Sequence, residues 1–419
     1  MRKIMPHNAS SEQASQLKKV LLVINADTSK QTAPPQDRSK ERLADYTALR
    51  TALQGDILDW NDIRATVWAK LMAKVGGKGI TLATLAFMRR KRYSLFYCDS
   101  ENNGLALAFL FKLSRSNYPL LMIGHWITPP KKAFLFKWLR LHSHITTLFL
   151  HSSAQYNEAI DQLGIPPKKL QMLPYQVDTE FWKAEHAHPS HTRRPYICTA
   201  GLEFRDYPTL IEAVRGLELD LKIGAASYWS KRRNSSVEVA LPTNVSVNSY
   251  NYEELRDLYA GSRFVVITLY DMNFQAGITV ILEAMAMGKA VIVTRTHGQG
   301  DTVVDRRDTV RTEPPRSAKG KFTELFGGNE VDGISGLTGY YVGPNNVEEL
   351  RRSIQHMLDH PKEAAEMGAR GRRTVETLMS VEQFAARIRR SVYETIEEPL
   401  SVSQPEKSGP SALNHKNKE

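Results

Sequence analysis

Residues 275–294, QAGITVILEAMAMGKAVIVT, decide the fold of this chain. The apolar strand FVVITLY precedes them, and the loop DMNFQAG leads to Gly277. ITVILEAMAM then places apolar residues at helical spacing, and AVIVT is a second β-branched run. A strand, a helix that begins at a glycine and another apolar strand predict a βαβ unit of a parallel sheet that is covered on both faces.

The same alternation of apolar strands and helical segments runs along most of the 419 residues. A polar linker, KAEHAHPSHTRR, divides the strands into two sets. The first set lies at residues 20–25, 93–98, 119–124 and 146–151, and the second at 195–201, 219–225, 244–250, 264–270 and 290–294. The pattern therefore predicts an α/β protein with two Rossmann-like units.

Domain boundaries follow from the same pattern. We expect a first domain at residues 17–186 and a second at 187–380. The polar ends, residues 1–16 and 399–419, have few large apolar groups and are expected to be disordered. The last amphipathic helix, at about 381–398, is expected to pack back on the first domain.

Charge is concentrated in one part of the chain. Residues 61–145 contain 14 Lys and Arg against 3 Asp and Glu, a net charge of +11 that equals the net charge of the whole chain. Such a segment favours an anionic partner. Isolated Cys98 and Cys198 fit neither a disulfide framework nor a zinc site, and no apolar run resembles a signal peptide or a membrane span. These features predict a cytoplasmic protein.

The opening stretch also predicts an anion site. Gly277 and the amides of Ile278 and Thr279 are expected at a helix N-terminus, where open α/β sheets bind ligands. Free amides and the positive helix end suit a diphosphate. Glu283, further along the helix, can accept hydrogen bonds from ribose hydroxyls. An ordinary buried helix with one paired acid is the alternative interpretation.

The stretch resembles glycosyltransferase family 4, whose members retain anomeric configuration and have the GT-B architecture of two facing Rossmann-like domains with a cleft between them. The match includes Gly277, Glu283, Gly288 and the strand AVIVT. It departs at Gln275, where the family has a glutamate that faces the donor sugar. A glutamine can still bind sugar hydroxyls, but it carries no charge. The resemblance implies an acceptor-binding first domain and a second domain that binds the sugar nucleotide.

Two further matches extend the resemblance. TAGLEFRDYPTLIEAV, residues 199–214, resembles the family segment that supplies two cations to the donor diphosphate, with Arg205 at one position and Leu202 at the other. MIGHW places His125 where the family has a histidine near the donor sugar and the attacking hydroxyl. The resemblance thus implies catalytic roles for His125, Arg205 and Glu283. It implies a donor site composed of Gly201, Arg205, Gly224, Gln275, Gly277, Ile278, Thr279 and Glu283.

The implied reaction is the transfer of a hexosyl group from a UDP- or GDP-sugar to a hydroxyl acceptor. The sequence has no Asp-x-Asp triplet and no recognisable set of metal ligands, so we expect neither a metal nor a cofactor. Arg205 and the helix amides would then stabilise the leaving diphosphate.

The basic segment points to the acceptor. Lys131, Lys132, Phe134, Trp138 and Arg140 would place basic and aromatic groups along one helix, which is typical of an interfacial membrane helix. The acceptor is then expected to be a lipid or a lipid-linked glycan, with the protein peripheral on the inner face of the plasma membrane. A core-packed helix with a solvated basic edge is the alternative. Nucleic acid is not expected, because no recognised binding module occurs.

Two other functions stay open at this stage. Leu202, Gln275 and a first loop without glycine, residues 24–40, are consistent with a non-catalytic binding or scaffold protein. A sugar-nucleotide epimerase would share the architecture, but it would need no second substrate and hence no basic acceptor-side segment.

Overall fold

The computed structural model describes residues 19–225, 241–305 and 336–397. The two predicted disordered ends, residues 1–16 and 399–419, lie outside these ranges. Within them the chain forms two parallel six-stranded sheets with helices against their faces. This confirms the predicted α/β class with two Rossmann-like domains.

The first sheet has the strand order β2-β1-β3-β4-β5-β6. Its strands are β1 Val20–Val23, β2 Asp56–Leu58, β3 Leu95–Cys98, β4 Leu120–Gly124, β5 Thr147–Leu150 and β6 Leu170–Met172. Successive side chains of β1 enter opposite cores, because residues of a strand alternate between the two faces of a sheet. Leu21 and Val23 pack in one core, whereas Val20 and Leu22 pack in the other.

Seven helices of the described residues belong to this first sheet. They are α1 Asp45–Leu53, α2 Trp60–Ala65, α3 Val67–Gly76, α4 Lys78–Met88, α5 Glu101–Leu113, α6 Pro130–Lys137 and α7 Ser153–Asp161. Helix α3 packs on α4, and α4 packs on α5. Helix α6 is shorter than the sequence predicts, since the chain turns into the left-handed region at Arg140, with φ of 45°.

The second sheet has the order β12-β11-β10-β7-β8-β9. Its strands are β7 Tyr196–Ala200, β8 Asp220–Gly224, β9 Val245–Asn248, β10 Val265–Ile267, β11 Val291–Thr294 and β12 Gly339–Val342. Strands β7 and β10 are neighbours although they are distant in sequence. The crossing direction reverses between them, which marks the position where doubly wound sheets bind ligands.

The helices assigned to the second sheet are α8 Tyr207–Val214, α9 Tyr252–Gly261, α10 Ile278–Ala286, α11 Val347–Asp359 and α12 Pro361–Leu378. The last described helix, α13 Val381–Glu397, leaves this domain and packs against α1. Its Phe384 and Ile388 are buried in the same core as Leu22 and Leu49 of the first domain. The last described helix thus connects the second domain to the core of the first sheet.

Several contacts join the two domains across the carboxyl ends of their strands. Asp301 accepts hydrogen bonds from the backbone N–H and the hydroxyl of Ser153, each at 2.7 Å. The amide of Asn273 donates to the hydroxyl of Thr128 at 2.8 Å. The ligand-binding edges of the two sheets therefore face each other, as the GT-B expectation requires. Among the described helices, none combines the length and the apolar composition that crossing a membrane needs.

Candidate functional site

The predicted anion site lies at the start of α10. Gly277 is the N-cap residue, with a left-handed φ of 76° that glycine adopts without strain. Ile278 and Thr279 form the first turn, where backbone amides have no acceptor within the helix. Thr279 is exposed and Ile278 is buried. The positive end of the helix dipole is thus presented at the crevice of the second sheet.

Arg205 lies at the same crevice. It bridges to Leu269, so the loop after β7 pairs with the segment after β10 at the point where the sheet changes direction. Its guanidinium is buried, with Nε donating to the carbonyl of Ala200 at 2.9 Å and Nη1 donating to the carbonyl of Glu203 at 3.0 Å. These bonds fix the orientation of a positive charge beside the start of α10.

Glycines make room for that guanidinium. A Cβ added to Gly201 would lie 2.5 Å from Nη2 of Arg205, and one added to Gly277 would lie 3.4 Å from Nη1. The N–H of Gly201 donates to the carbonyl of Gly224 at 2.9 Å, which joins the ends of β7 and β8. The structure therefore brings Arg205 together with three of the predicted donor-site glycines.

Glu283 lies one and a half turns into α10 and is 6% exposed. Its Oε2 accepts a hydrogen bond from the hydroxyl of Tyr259 at 3.2 Å. Burial raises the pKa of Glu283 to about 7, although the nearby charges of Arg42 and Arg205 favour the ionised form. Reasoning from the sequence missed Tyr259, because nothing in the spacing of α9 indicates which side chain reaches α10.

Gln275 is buried just before α10, at 7% exposure. Its Oε1 has no hydrogen-bond partner among the described residues. A buried amide oxygen without a partner is costly, and a ligand hydroxyl can satisfy it. Gln275 thus places an uncharged acceptor in the loop before α10, at the position where the resembled family has a glutamate.

His125 is held within the first domain at the end of β4. Its Nε2 bonds to the carbonyl of Asp99 at 2.9 Å, and its Nδ1 bonds to the hydroxyl of Tyr175 at 2.9 Å. A carbonyl can only accept, so Nε2 carries the proton and Nδ1 accepts from Tyr175. In this arrangement both ring nitrogens are engaged by the protein, and His125 helps to form the wall of a cavity.

That cavity, of about 100 Å³, lies where the carboxyl ends of the first-sheet strands meet helix α1. It is lined by Ile24, Asp45, Tyr46, Leu49, Tyr97, Asp99, Ile123, His125, His151, Tyr175 and Gln176. Asp99 accepts hydrogen bonds from the backbone N–H of Asn25 and the amide of Asn103, while burial raises the pKa of Asp99 to about 7. The sequence interpretation did not identify Asp99 and His151, whose position directly after apolar strands is the signal that could have found them.

The predicted membrane residues do not all share one surface. Phe134 and Trp138 are 52% and 75% exposed, and Lys131 and Arg140 are exposed as well. Lys132 instead points inward, where its ammonium pairs with buried Glu101 at 2.5 Å and donates to the carbonyl of Trp126. Glu101 also accepts from the backbone N–H of His125, so Lys132 supports the end of β4.

One group of possible metal ligands occurs among the described residues, at the junction of α11 and α12. His356, His360 and Glu363 each place a ligand atom within 4.8 Å of the others. Nε2 of His356 lies 3.2 Å from the carboxylate of Glu363. None of these side chains belongs to the donor-site residues described above, and the sequence interpretation did not identify this group.

Residues 208–326 match the family described as glycosyl transferases group 1. The comparison with curated proteins gives no match.

Solved structures match over nearly the whole chain. A glycosyltransferase from Rickettsia africae has 14% identity and a TM-score of 0.64, and the match covers 91% of this chain and 100% of that one. Sucrose-phosphate synthase from Thermosynechococcus elongatus has 14% identity and a TM-score of 0.62, covering 90% and 99%. Anabaena HepE, solved with UDP and glucose, has 13% identity and a TM-score of 0.59, covering 91% and 100%. At these identities the likeness shows the fold, and the chain has the two-domain GT-B fold.

Proposed function

We propose that this chain is a glycosyltransferase of family 4 that moves a hexosyl group from a nucleotide diphosphate to a hydroxyl acceptor, with retention of configuration. The observation that carries the proposal is the position of buried Arg205 against Gly201 and Gly277, at the N-terminus of α10. As the donor bond breaks, negative charge develops on the diphosphate. A fixed cation and helix amides stabilise that charge without reorganisation.

The positions of the other polar groups suggest their roles in donor binding. Glu283 and Gln275 lie on or beside α10, where they can accept hydrogen bonds from the ribose and sugar hydroxyls. A UDP-linked donor is supported by Anabaena HepE, which was solved in complex with UDP-glucose. A GDP-linked donor is the alternative base. In this proposal protein groups stabilise the charge on the diphosphate, and no step is assigned to a metal ion.

The test measures nucleotide diphosphate release from a panel of UDP-, GDP-, ADP- and TDP-sugars, with and without a membrane lipid extract. We expect release from one donor, and loss of that release in Arg205→Ala. Arg215→Ala is the matched control, because Arg215 is an exposed arginine of the same domain and its side chain pairs with the exposed carboxylate of Glu212. Interconversion of two sugar nucleotides without release would instead identify an epimerase.

A non-catalytic binding protein is the second candidate. Leu202, at the position of the missing cation, packs its side chain against a hydrophobic core and supplies no charge. Together with uncharged Gln275, it leaves the donor site with fewer ionic groups than the resembled family has. Donor binding without any release across the panel would favour this function over transfer.

The proposal also includes an acceptor that is located in a membrane. Of the 14 large hydrophobic side chains that are exposed in the described residues, 10 lie between Val67 and Trp138. The net charge of +11 falls in the same part of the chain. Apolar side chains among basic residues are typical of surfaces that lie in the headgroup region of anionic bilayers.

Helix α3 carries the largest share of this surface. Val67, Leu71 and Val75, spaced by four residues, are 82%, 64% and 87% exposed. Lys70 and Lys74 lie on the same helix. We therefore extend the proposed membrane surface from residues 131–140, where the sequence placed it, to α3.

Vesicle sedimentation tests this surface. The protein is expected to bind vesicles with anionic phosphatidylglycerol better than vesicles of phosphatidylcholine alone, and Leu71→Ser with Val75→Ser should weaken binding. Leu241→Ser, an exposed apolar residue of the second domain, is the control. Equal binding to both vesicle types would contradict the membrane proposal and leave the transferase proposal intact.

A further inference from the structure

Two imidazoles and one carboxylate lie together at the junction of α11 and α12, outside the residues to which the proposed transferase function assigns a role. His356 is in the last turn of α11, and Glu363 is in the first turn of α12. His360 is the single residue between the two helices, and it has a non-helical ψ of 62°. Pro361 favours this break, because the residue before a proline disfavours the helical conformation. The short turn therefore brings three possible ligands to one place, with ligand atoms within 4.8 Å of one another.

The imidazole of His360 is held in one tautomer. Its Nδ1 lies 2.9 Å from the carbonyl of His356, and a carbonyl can only accept, so Nδ1 carries the proton. Nε2 then keeps a lone pair that can bind a cation. The two rings also stack, with their centroids 4.2 Å apart and their planes at 26°. Histidines that bind metals usually donate their other ring N–H to a carbonyl or a carboxylate, and His360 already has this arrangement.

Glu363 is fixed by a residue of the second sheet. The hydroxyl of Tyr340, in β12, donates to Oε1 of Glu363 at 2.8 Å. The other oxygen of this carboxylate, Oε2, lies 3.2 Å from Nε2 of His356. The hydrogen bond from Tyr340, together with that from His356, lowers the pKa of Glu363 below its ordinary value, so the group is ionised at neutral pH. An anionic ligand is thus held beside the two imidazoles.

This set of donor atoms selects a class of metal ion. Two imidazole nitrogens and a carboxylate oxygen are typical ligands of zinc and of neighbouring transition metals. Magnesium and calcium instead prefer sites in which every ligand is an oxygen atom. The side chains of His356 and Glu363 are 44% and 38% exposed, so a hydrated ion can reach them and keep water in a further coordination position.

We propose that His356, His360 and Glu363 bind one divalent transition-metal ion such as Zn²⁺, which joins α11 to α12 and keeps water in its open position. Through Glu363 and Tyr340 the ion is also connected to β12, an edge strand of the second sheet. None of the three ligands belongs to the predicted donor-site residues. The ion therefore stabilises the second domain and has no part in the transfer of the sugar.

Calorimetric titration of the full-length chain with zinc chloride tests the proposal. We expect one Zn²⁺ to bind per chain at this site and to raise the midpoint of thermal unfolding, because an ion that binds the folded state stabilises it. His356→Ala and His360→Ala should each weaken binding by roughly a hundredfold, and magnesium chloride should not bind here. His191→Ala is the matched control, because His191 is an exposed histidine of the linker before β7. Equal zinc affinity in the wild type and both ligand variants, or no zinc binding at all, would overturn the proposal.

Two further variants test the role assigned to Glu363. Glu363→Gln removes the charge of the third ligand, and Tyr340→Phe removes the hydroxyl that orients it. Each should weaken zinc binding by roughly tenfold or more, since groups that orient a metal ligand contribute to metal affinity. Wild-type zinc affinity in both folded variants would refute the three-ligand site even though both histidines remain. Because the titration contains no sugar nucleotide, its result is independent of whether the chain is a transferase.

Discussion

The hydroxyl of Tyr259 donates a 3.2 Å hydrogen bond to Oε2 of Glu283, and both side chains are buried. Burial raises the pKa of Glu283 to about 7, and this hydrogen bond acts in the opposite direction. This carboxyl, at the predicted donor site, therefore changes its charge near neutral pH. Two expectations follow, one for donor binding and one for stability.

Donor binding should depend on pH around 7. An ionised Glu283 accepts hydrogen bonds from hydroxyls more strongly than a protonated one, so the donor KM is expected to fall as pH rises through about 7. Tyr259→Phe removes a bond that favours ionisation and should move this transition to higher pH. The measurement is donor KM across the pH range, with Tyr393→Phe in α13 as the control. Identical profiles for wild type and Tyr259→Phe would show that Glu283 does not control binding.

Stability should show the opposite pH dependence. The folded-state pKa of Glu283, about 7, exceeds its ordinary value of 4.5, so its stabilising contribution is complete below 4.5 and is lost as pH rises through 7. The side chain in Glu283→Gln cannot ionise. The free energy of unfolding of this variant, relative to that of the wild type, should therefore rise by roughly 3 kcal/mol between acidic and alkaline pH. Urea unfolding at several pH values measures the difference. Glu253→Gln, an exposed control on α9, should show no comparable trend.

Gly201→Ala should weaken nucleotide binding by more than the backbone strain at a positive φ alone explains. Gly201 has φ of 97°, and an added Cβ would meet Nη2 of Arg205 at 2.5 Å. Gly216 has φ of 75° with open space around it, so Gly216→Ala isolates the backbone effect. We expect both variants to be less stable and only Gly201→Ala to lose nucleotide binding, measured by calorimetry. Equal loss in both would argue that Arg205 does not contact the nucleotide.

Gln275 is expected to lower the stability of the fold and to raise affinity for the sugar of the donor. Gln275→Leu removes a buried oxygen without a partner among the described residues, so the midpoint of thermal unfolding is expected to rise. Affinity for the sugar nucleotide should fall, while affinity for the free nucleotide diphosphate should not change. Gln299→Leu is the contrasting variant, because both ends of its amide are hydrogen-bonded and its loss should destabilise the fold. A parallel fall in both affinities would place Gln275 at the diphosphate instead.

Strand and helix periodicity predicted the two Rossmann-like domains and the start of α10 at Gly277. These features depend on local composition, since a β-branched run, a glycine and an amphipathic helix are each encoded by adjacent residues. The same reasoning predicted that the last helix packs back on the first domain, but it did not show which of its side chains would enter the core. Only the folded chain shows that Phe384 of α13 enters the core of the first sheet.

The predicted membrane helix illustrates a different limit. Sequence spacing put Lys132 on a surface with Trp138, but the helix ends at Lys137 and the ammonium of Lys132 pairs with Glu101, 31 residues away. The preference of a lysine for solvent depends on the residue itself. The buried carboxylate that holds Lys132 inward belongs to another helix, so spacing along the chain does not reveal it. Helix α3, with Val75 at 87% exposure, was not part of the predicted membrane patch, since the exposure of its apolar residues depends on which elements pack against it.

By itself, the sequence determined the class of fold, the domain order and the residue types available for a diphosphate site, because these depend on periodicity and on residues that are close along the chain. Tertiary structure alone decided which groups meet: Tyr259 with Glu283 across 24 residues, Gly201 with Gly224, and His151 with Gln176 around one cavity. Parallel sheets bring the carboxyl ends of separate strands to one edge, and the side chains that share that edge depend on strand order and helix packing.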